Sequence, residues 1–166
     1  SKPDYLFNLT KLTGEALCLA LKNRKVRVAR LSNVTGVNPH SHLFLPTLIR
    51  NALEKRPLEL YLTPDSAKDY ILLEDAIDAI VRITRGGRHR VYNVASGCNT
   101  TAGEIVDIIQ RETGCEARWN ENPVRSVFTP IDVGLIAREF GFSPKSVTDH
   151  LPDIIEATRH ALRRTC

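Results

Sequence analysis

The residue types that most often carry chemistry are present in this chain but are rarely neighbours. Cys18, Cys98, Cys115 and Cys166 lie far apart with no paired spacing. Neither a metal knuckle nor a disulfide framework is expected from them, and reduced thiols, hence the cytoplasm, fit better. The five histidines are also scattered. Even His40 and His42 lack an acidic or cysteine partner close by in sequence, so no metal site is expected. Arg82, Arg85, Arg88 and Arg90 form a basic stretch without interleaved aromatics, which reads as a solvated edge and not as a nucleic-acid surface. Lys11 stands four residues after Phe7 and six after Tyr5. On a helix the spacing of four puts two side chains on one face, and the spacing of six does not. No glycine-rich turn follows a strand, so the fingerprint that grips a dinucleotide pyrophosphate is missing from these residues.

The elements that must position these groups belong to an ordinary globular chain of 166 residues, 42% hydrophobic and 25% charged, with a net charge of +4. Nine glycines and nine prolines are spread along it, which argues against disorder and suits one domain with a sizeable core. No apolar run approaches the roughly 20 residues of a membrane span, and the opening Ser1-Lys2-Pro3-Asp4-Tyr5 resembles neither a signal nor a transit peptide. Leu9, Leu12, Ala16, Leu17 and Ala20 recur at helical spacing and predict a helix over 9–22. Alternation predicts a strand over 26–31, broken by Gly36, Asn38 and Pro39. A helix over 43–55 stops before Pro57, and a strand over 58–62 leads into a turn at 63–66. A buried strand is expected at 70–73, then a helix over 74–84 with Ala76, Ile77, Ile80 and Val81 inward. Strands are expected at 90–95 and 116–119. Thr101 followed by Glu104 is the pattern of a capping box, heading a helix that runs to about 113 and stops at Gly114. Helices over 132–140 and 147–164 flank Gly141-Phe142-Ser143-Pro144. Helix and strand alternate without repeat or linker, which predicts an α/β architecture with one compact core.

Several blocks, in order, resemble a known family. Thr10-Lys11-Leu12-Thr13-Gly14-Glu15 is similar to its Ser-Lys-Leu-x-Gly-Glu block, and Arg30-Leu31-Ser32-Asn33-Val34-Thr35-Gly36-Val37-Asn38-Pro39 to its Arg-x-x-Asn-Val-Tyr-Gly-Pro segment. Lys68-Asp69-Tyr70-Ile71 with Glu74-Asp75-Ala76 looks like its Arg-Asp-(Phe/Tyr)-Ile strand and Asp-Asp-Val turn. Tyr92-Asn93-Val94-Ala95-Ser96-Gly97 resembles Tyr-Asn-Val-Gly-Ser-Gly, and Asp132 with Phe140-Gly141-Phe142-Ser143-Pro144 resembles Asp-x-x-Lys and Leu-Gly-Trp-x-Pro. The family is the extended short-chain dehydrogenase/reductases, the NAD-dependent epimerases and dehydratases of nucleotide sugars. Five blocks in family order, over essentially the whole chain, make a specific match.

The resemblance implies the C-terminal part of a Rossmann-like fold, one compact unit in which 1–36 end the Rossmann-like layer and 37–166 form mainly the substrate-binding lobe. It implies a parent that binds NAD or NADP and a nucleotide sugar, with a homodimer through the first helix plausible. Lys11 would bind the nicotinamide ribose and tune a general acid/base. That acid/base is a Tyr in the family, and Phe7 stands in its place. Three readings follow: Tyr5 substitutes through an irregular helix start, Phe7 inactivates a protein that still binds its ligand, or another group does the work. Asn33 and Val34 would pass beneath nicotinamide and sugar, Asn33 touching both, while Thr35 replaces a Tyr. Lys68 would meet the nucleotide diphosphate with a charge but no bidentate fork. Arg125, displaced by three from the family's arginine, is a further diphosphate candidate. Asp69 and Asp75 read as caps of their own turn. Core packing is the favoured role of Trp119 and Phe128, with nucleobase stacking the alternative. The resulting expectation is a substrate-binding portion that is inactive alone and binds no cofactor tightly. The alternative is a non-catalytic binding module of the same fold.

Overall fold

The computed structural model describes residues 3–22 and 25–164. Helix α1 (Pro3–Ala20) leads into β1 (Val28–Leu31) and β2 (Asn33–Thr35). Then come α2 (Phe44–Leu53), β3 (Leu58–Leu62), β4 (Ala67–Leu72), α3 (Leu73–Gly86), β5 (Val91–Val94) and β6 (Asn99–Thr101). The chain ends with α4 (Ala102–Thr113), β7 (Ala117–Val124), α5 (Gly134–Phe140) and α6 (Val147–Arg164). Strands β2 and β6, three residues each, were not expected, because they are too short to show a periodicity.

The strands form three small sheets. β1 pairs parallel with β5, Val28 opposite Val91, and β3 pairs parallel with β7, Leu58 opposite Ala117. Between them β4 runs parallel to β2 and antiparallel to β6, with Asn33 opposite Tyr70 and Asp69 opposite Asn99. Parallel pairing needs long crossovers, and here α2 and α3 lie within them.

Two clusters fill the interior where one was expected. The larger packs Leu45, Leu48 and Ile49 of α2 against Leu58 and Leu60 of β3, Ile105 and Ile109 of α4, and Leu151 and Ile155 of α6. The smaller packs Ala76, Ala79 and Ile83 of α3 over Tyr92 and Val94 of β5, closed by Ile136 and Phe142. The inward face of α3 therefore differs from expectation. Ala76 and Ala79 face in, while Ile77 is 52% exposed and Ile80 and Val81 also reach solvent. Two alanines let the helix axis approach the strands closely, and that contact fixes its rotation.

α1 departs further. Its expected apolar stripe is solvent-facing: Leu12 and Leu17 are each 65% exposed and Leu9 is 59% exposed. Its helical periodicity is real, but among the described residues nothing covers it. α4 behaves as expected. Thr101 Oγ1 accepts from the Glu104 N–H at 3.1 Å while Glu104 Oε2 accepts from the Thr101 N–H at 2.8 Å, and Gly114 closes the helix at φ 68°.

Candidate functional site

α1 is one continuous helix from Pro3, so Tyr5 and Lys11 sit six residues apart on regular geometry. At about 100° per residue that leaves them roughly 120° apart around the axis. Phe7, not Tyr5, shares the Lys11 face. Lys11 Nζ lies 5.0 Å from the Phe7 ring centroid, a cation–π contact where a Tyr would offer a hydroxyl. One turn on, Glu15 takes a two-pronged hydrogen bond from Arg30 of β1, with Arg30 Nε 2.9 Å from Oε2. That hydrogen bond holds the Glu15 carboxyl below its usual range and ties α1 to the sheet.

The N-terminal ends of β2, β4 and β6, with the segment after β7, enclose a cleft of about 180 Å³ lined by Asn33, Lys68, Asp69, Asn99, Phe128 and Ile131. The β2–β4 register puts Asn33 beside Asp69, and Asn33 Nδ2 donates to the Asp69 carbonyl oxygen at 2.7 Å. That bond takes one of the two amide hydrogens and fixes the orientation of the group, leaving Oδ1 as its acceptor. Asp69 itself is 3% exposed. Its carboxylate accepts from the Ser96 N–H (3.0 Å), the Gly97 N–H (2.8 Å) and the Ser96 hydroxyl (2.9 Å). A buried carboxylate is tolerable only when so satisfied. The turn it grips is specific: Gly97 has φ 81°, and a Cβ there would stand 2.8 Å from Val133 Cγ2. Asp69 was expected to cap its own turn, and instead it staples β4 to the turn after β5. Asp75 does likewise at a distance, accepting from the Lys145 N–H at 2.8 Å.

Lys68 forms no ion pair among the described residues; its Nζ lies 5.5 Å over the Phe128 ring. Phe128 is 56% exposed, so it is a cleft wall and not the core residue favoured from sequence. Asn99 donates its Nδ2 to the Phe128 carbonyl oxygen, and its buried Oδ1 has no partner. Asn99 is not legible in the sequence, because its position follows from the antiparallel β4–β6 pairing, which three residues do not announce.

Not every expected residue meets at this cleft. Arg125 pairs instead with Asp65, Nε to Oδ2 at 2.6 Å, and does not line it. The Thr63 hydroxyl and then Arg125 hold the Asp65 carboxyl below its usual range. Val34 turns its side chain toward the smaller core and pairs in the sheet with Ile71. Thr35 is 4% exposed with an unpartnered hydroxyl. Trp119 packs against the larger core and with Tyr61 edges a separate hollow of about 210 Å³. Lys11 and Phe7 are exposed on α1 and do not line the cleft.

The cleft gathers Asn33 and Lys68 from two of the five blocks, while Lys11 and Glu15 of the first stand on α1 outside its lining. Residues 2–95 match the NAD dependent epimerase/dehydratase family. The chain belongs to that family. It is similar to a dTDP-glucose 4,6-dehydratase of Streptomyces griseus, 25% identical over 153 residues that cover 86% of this chain and 46% of the relative. Among solved structures it resembles the dTDP-glucose 4,6-dehydratase of Bacillus anthracis in complex with NAD, with TM-score 0.67, 26% identity and coverage of 79% of this chain and 43% of that one. It also resembles MoeE5 in complex with UDP-glucose and NAD, with TM-score 0.76, 25% identity and coverage of 93% and 55%. The chain thus spans about half the length of the family members it matches. No described helix is long and apolar enough to cross a membrane.

Proposed function

We propose that these residues form the C-terminal, substrate-binding portion of an NAD(P)-dependent nucleotide-sugar epimerase/dehydratase. The observation that carries this reading is the cleft in which Lys68, an unpaired cation, faces Asn33, Asn99 and the exposed Phe128 ring. A diphosphate supplies the counter-charge that Lys68 lacks, hydroxyls supply donors to the Asn33 carbonyl oxygen, and a flat ring has Phe128 to pack on. Arg125 joins the diphosphate only by leaving Asp65. Binding partners among similar proteins support the class: one solved relative holds UDP-glucose.

A nicotinamide dinucleotide, when bound, supplies the hydride acceptor of this family's chemistry. The residues present fit only part of it. Lys11 is exposed, its Nζ rests over the Phe7 ring, and it is open to a ribose hydroxyl. Asn33 offers an acceptor near the cleft, and Val34 offers backbone alone. Nothing in these residues provides the glycine-rich turn for the pyrophosphate, so tight binding of NAD or NADP by this chain alone is not expected. Phe7 cannot exchange a proton, and this favours a second reading, a non-catalytic binding module of the same fold. A homodimer through α1 belongs to the same proposal and is supported by the helix's exposed leucines. So does a cytoplasmic setting, supported by the free thiols of Cys18, Cys98 and Cys115.

Calorimetric titration with NAD and with a panel of UDP-, dTDP- and GDP-sugars tests the proposal. A nucleotide sugar should bind without NAD, Lys68→Ala should weaken it about tenfold, and Lys68→Arg should strengthen it by restoring the bidentate fork. Silence across the panel would sink the substrate-binding reading for this chain.

A further inference from the structure

Two hollows lie apart from the cleft, where α2 and α4 finish. One of about 470 Å³ is bordered by Lys55, Arg56 and Arg118, and an adjoining one of about 580 Å³ by Arg159 and Arg163. They share Ala52, Lys55 and Thr113, so they form one continuous groove. Five cations border it against two carboxylates, Glu54 and Glu116. Part of this charge has local work. Arg56 pairs with Glu54, Arg118 with Glu116 at 3.1 Å, and Arg159 with Glu156. Arg159 also reaches the Glu112 carbonyl at the end of α4, as cations near a helix C-terminus do. Lys55 and Arg163 form no ion pair among the described residues.

Lys55 is singular in a second way. The Arg56 N–H donates to the Asn51 carbonyl at 2.9 Å and the Lys55 N–H to the Ala52 carbonyl at 3.1 Å, so α2 ends in a Schellman motif with Lys55 at the left-handed position. Its φ is 58°, and among the described residues no other non-glycine has a positive φ. The helices α4 and α5 fill the same position with Gly114 and Gly141. Stability alone favours glycine there. A lysine kept in strained backbone, with its charge in no ion pair on the rim of this groove, points to a use for that charge.

We propose that this groove is a docking surface for an acidic peptide segment of a partner protein. An extended peptide suits both the charge of the groove and its apolar end. Its carboxylates meet Lys55, Arg163 and the flanking arginines. A phosphate brings charge but nothing to cover apolar side chains. The leucine side chains of Leu53 and Leu162 floor one end, so alternate apolar residues of the segment find a seat.

The test uses the protein with a fluorescent peptide of alternating Glu and Leu, its Gln counterpart as control, and a single-stranded RNA oligomer as competitor. The acidic peptide binds at low salt and is released as ionic strength rises, and the Gln peptide does not bind. Lys55→Gly weakens binding about fivefold while the unfolding midpoint holds or rises, because the substitution removes a charge and relieves the backbone. Arg163→Ala weakens it similarly, and Lys68→Ala in the distant cleft leaves it unchanged. The proposal is overturned if the acidic peptide fails to bind at low salt, if Lys55→Gly binds as well as the parent, or if RNA displaces the peptide at lower concentration than the peptide itself.

Discussion

Lys11 and Phe7, at helical spacing on α1, are the pair on which the proposed chemistry turns. With Phe7 beneath Lys11, the ammonium rests on a ring face 5.0 Å away and has no phenol to acidify. Phe7→Tyr adds one hydroxyl on the Lys11 face without changing the helix, since the two residues have similar helix propensity. The introduced phenol should titrate below the ordinary phenol range because the neighbouring ammonium favours its anion, and Lys11→Met should return it upward. Ultraviolet titration of the variants reads this directly. A phenol that titrates normally with Lys11 in place would show that the pair is too loose to work together. Asp69 makes the contrasting point. Its neighbours in sequence suggest a local cap, yet its carboxylate is spent on the Ser96 and Gly97 turn, and its carbonyl orients Asn33.

Among the elements, α4 is the one whose start and stop are written most plainly. Thr101 and Glu104 exchange hydrogen bonds at its head, and Gly114 ends it. Thr101→Ala should cost about 1 kcal/mol, the usual loss of an N-cap, measurable by denaturant unfolding. The cap also has a pH signature. The Thr101 hydroxyl, and then its N–H, hold the Glu104 carboxyl below its ordinary 4.5. A carboxyl depressed in the folded state contributes stability that is complete above the unfolded value and lost as pH falls through the folded one. The parent should therefore lose more stability on acidification below about 4.5 than Thr101→Ala does. Equal acid slopes would mean that the box is open in solution. α3 shows the limit of reading one element alone. Its isoleucines and valine suit either face, and only the strands beneath choose the alanines.

At the scale of the molecule, α1 stands apart from both cores. Tyr5, Leu6, Phe7, Leu9 and Leu12 are all more than half exposed, and the Arg30–Glu15 clamp is a principal tie to the rest. An apolar helix so presented should associate with itself or with a further α/β layer. The protein should sediment as a concentration-dependent oligomer, and Leu9→Glu with Leu12→Glu should return it to a monomer with an unchanged unfolding midpoint. A midpoint that falls sharply would show that the leucines support the cores after all. The two cores behave differently because they draw on different stretches of chain. The larger joins α2, β3, α4 and α6, while the smaller needs β5 to come back beside β1.

Periodicity, capping residues and glycine stops determine that helices α1 to α6 and strands β1, β3 and β5 exist, because those signals act within a few residues. β4 and β7 reach beyond the expected 70–73 and 116–119. The ordered blocks likewise determine the family, and they single out Lys11, Asn33 and Lys68 as the residues of the proposed site. Tertiary structure decides the rest. β2 and β6 exist through pairing with β4, which no local pattern encodes, and that pairing carries Asn99 into the cleft beside Lys68. Arg125 and Phe128 are three residues apart, yet one turns to Asp65 and the other to Lys68. Which of them reaches the site depends on how the segment crosses Ala67, where the Phe128 N–H donates to the Ala67 carbonyl, a contact between residues distant in sequence. Sequence supplies the groups and the local geometry, and long-range pairing supplies the neighbours that give each group its chemistry.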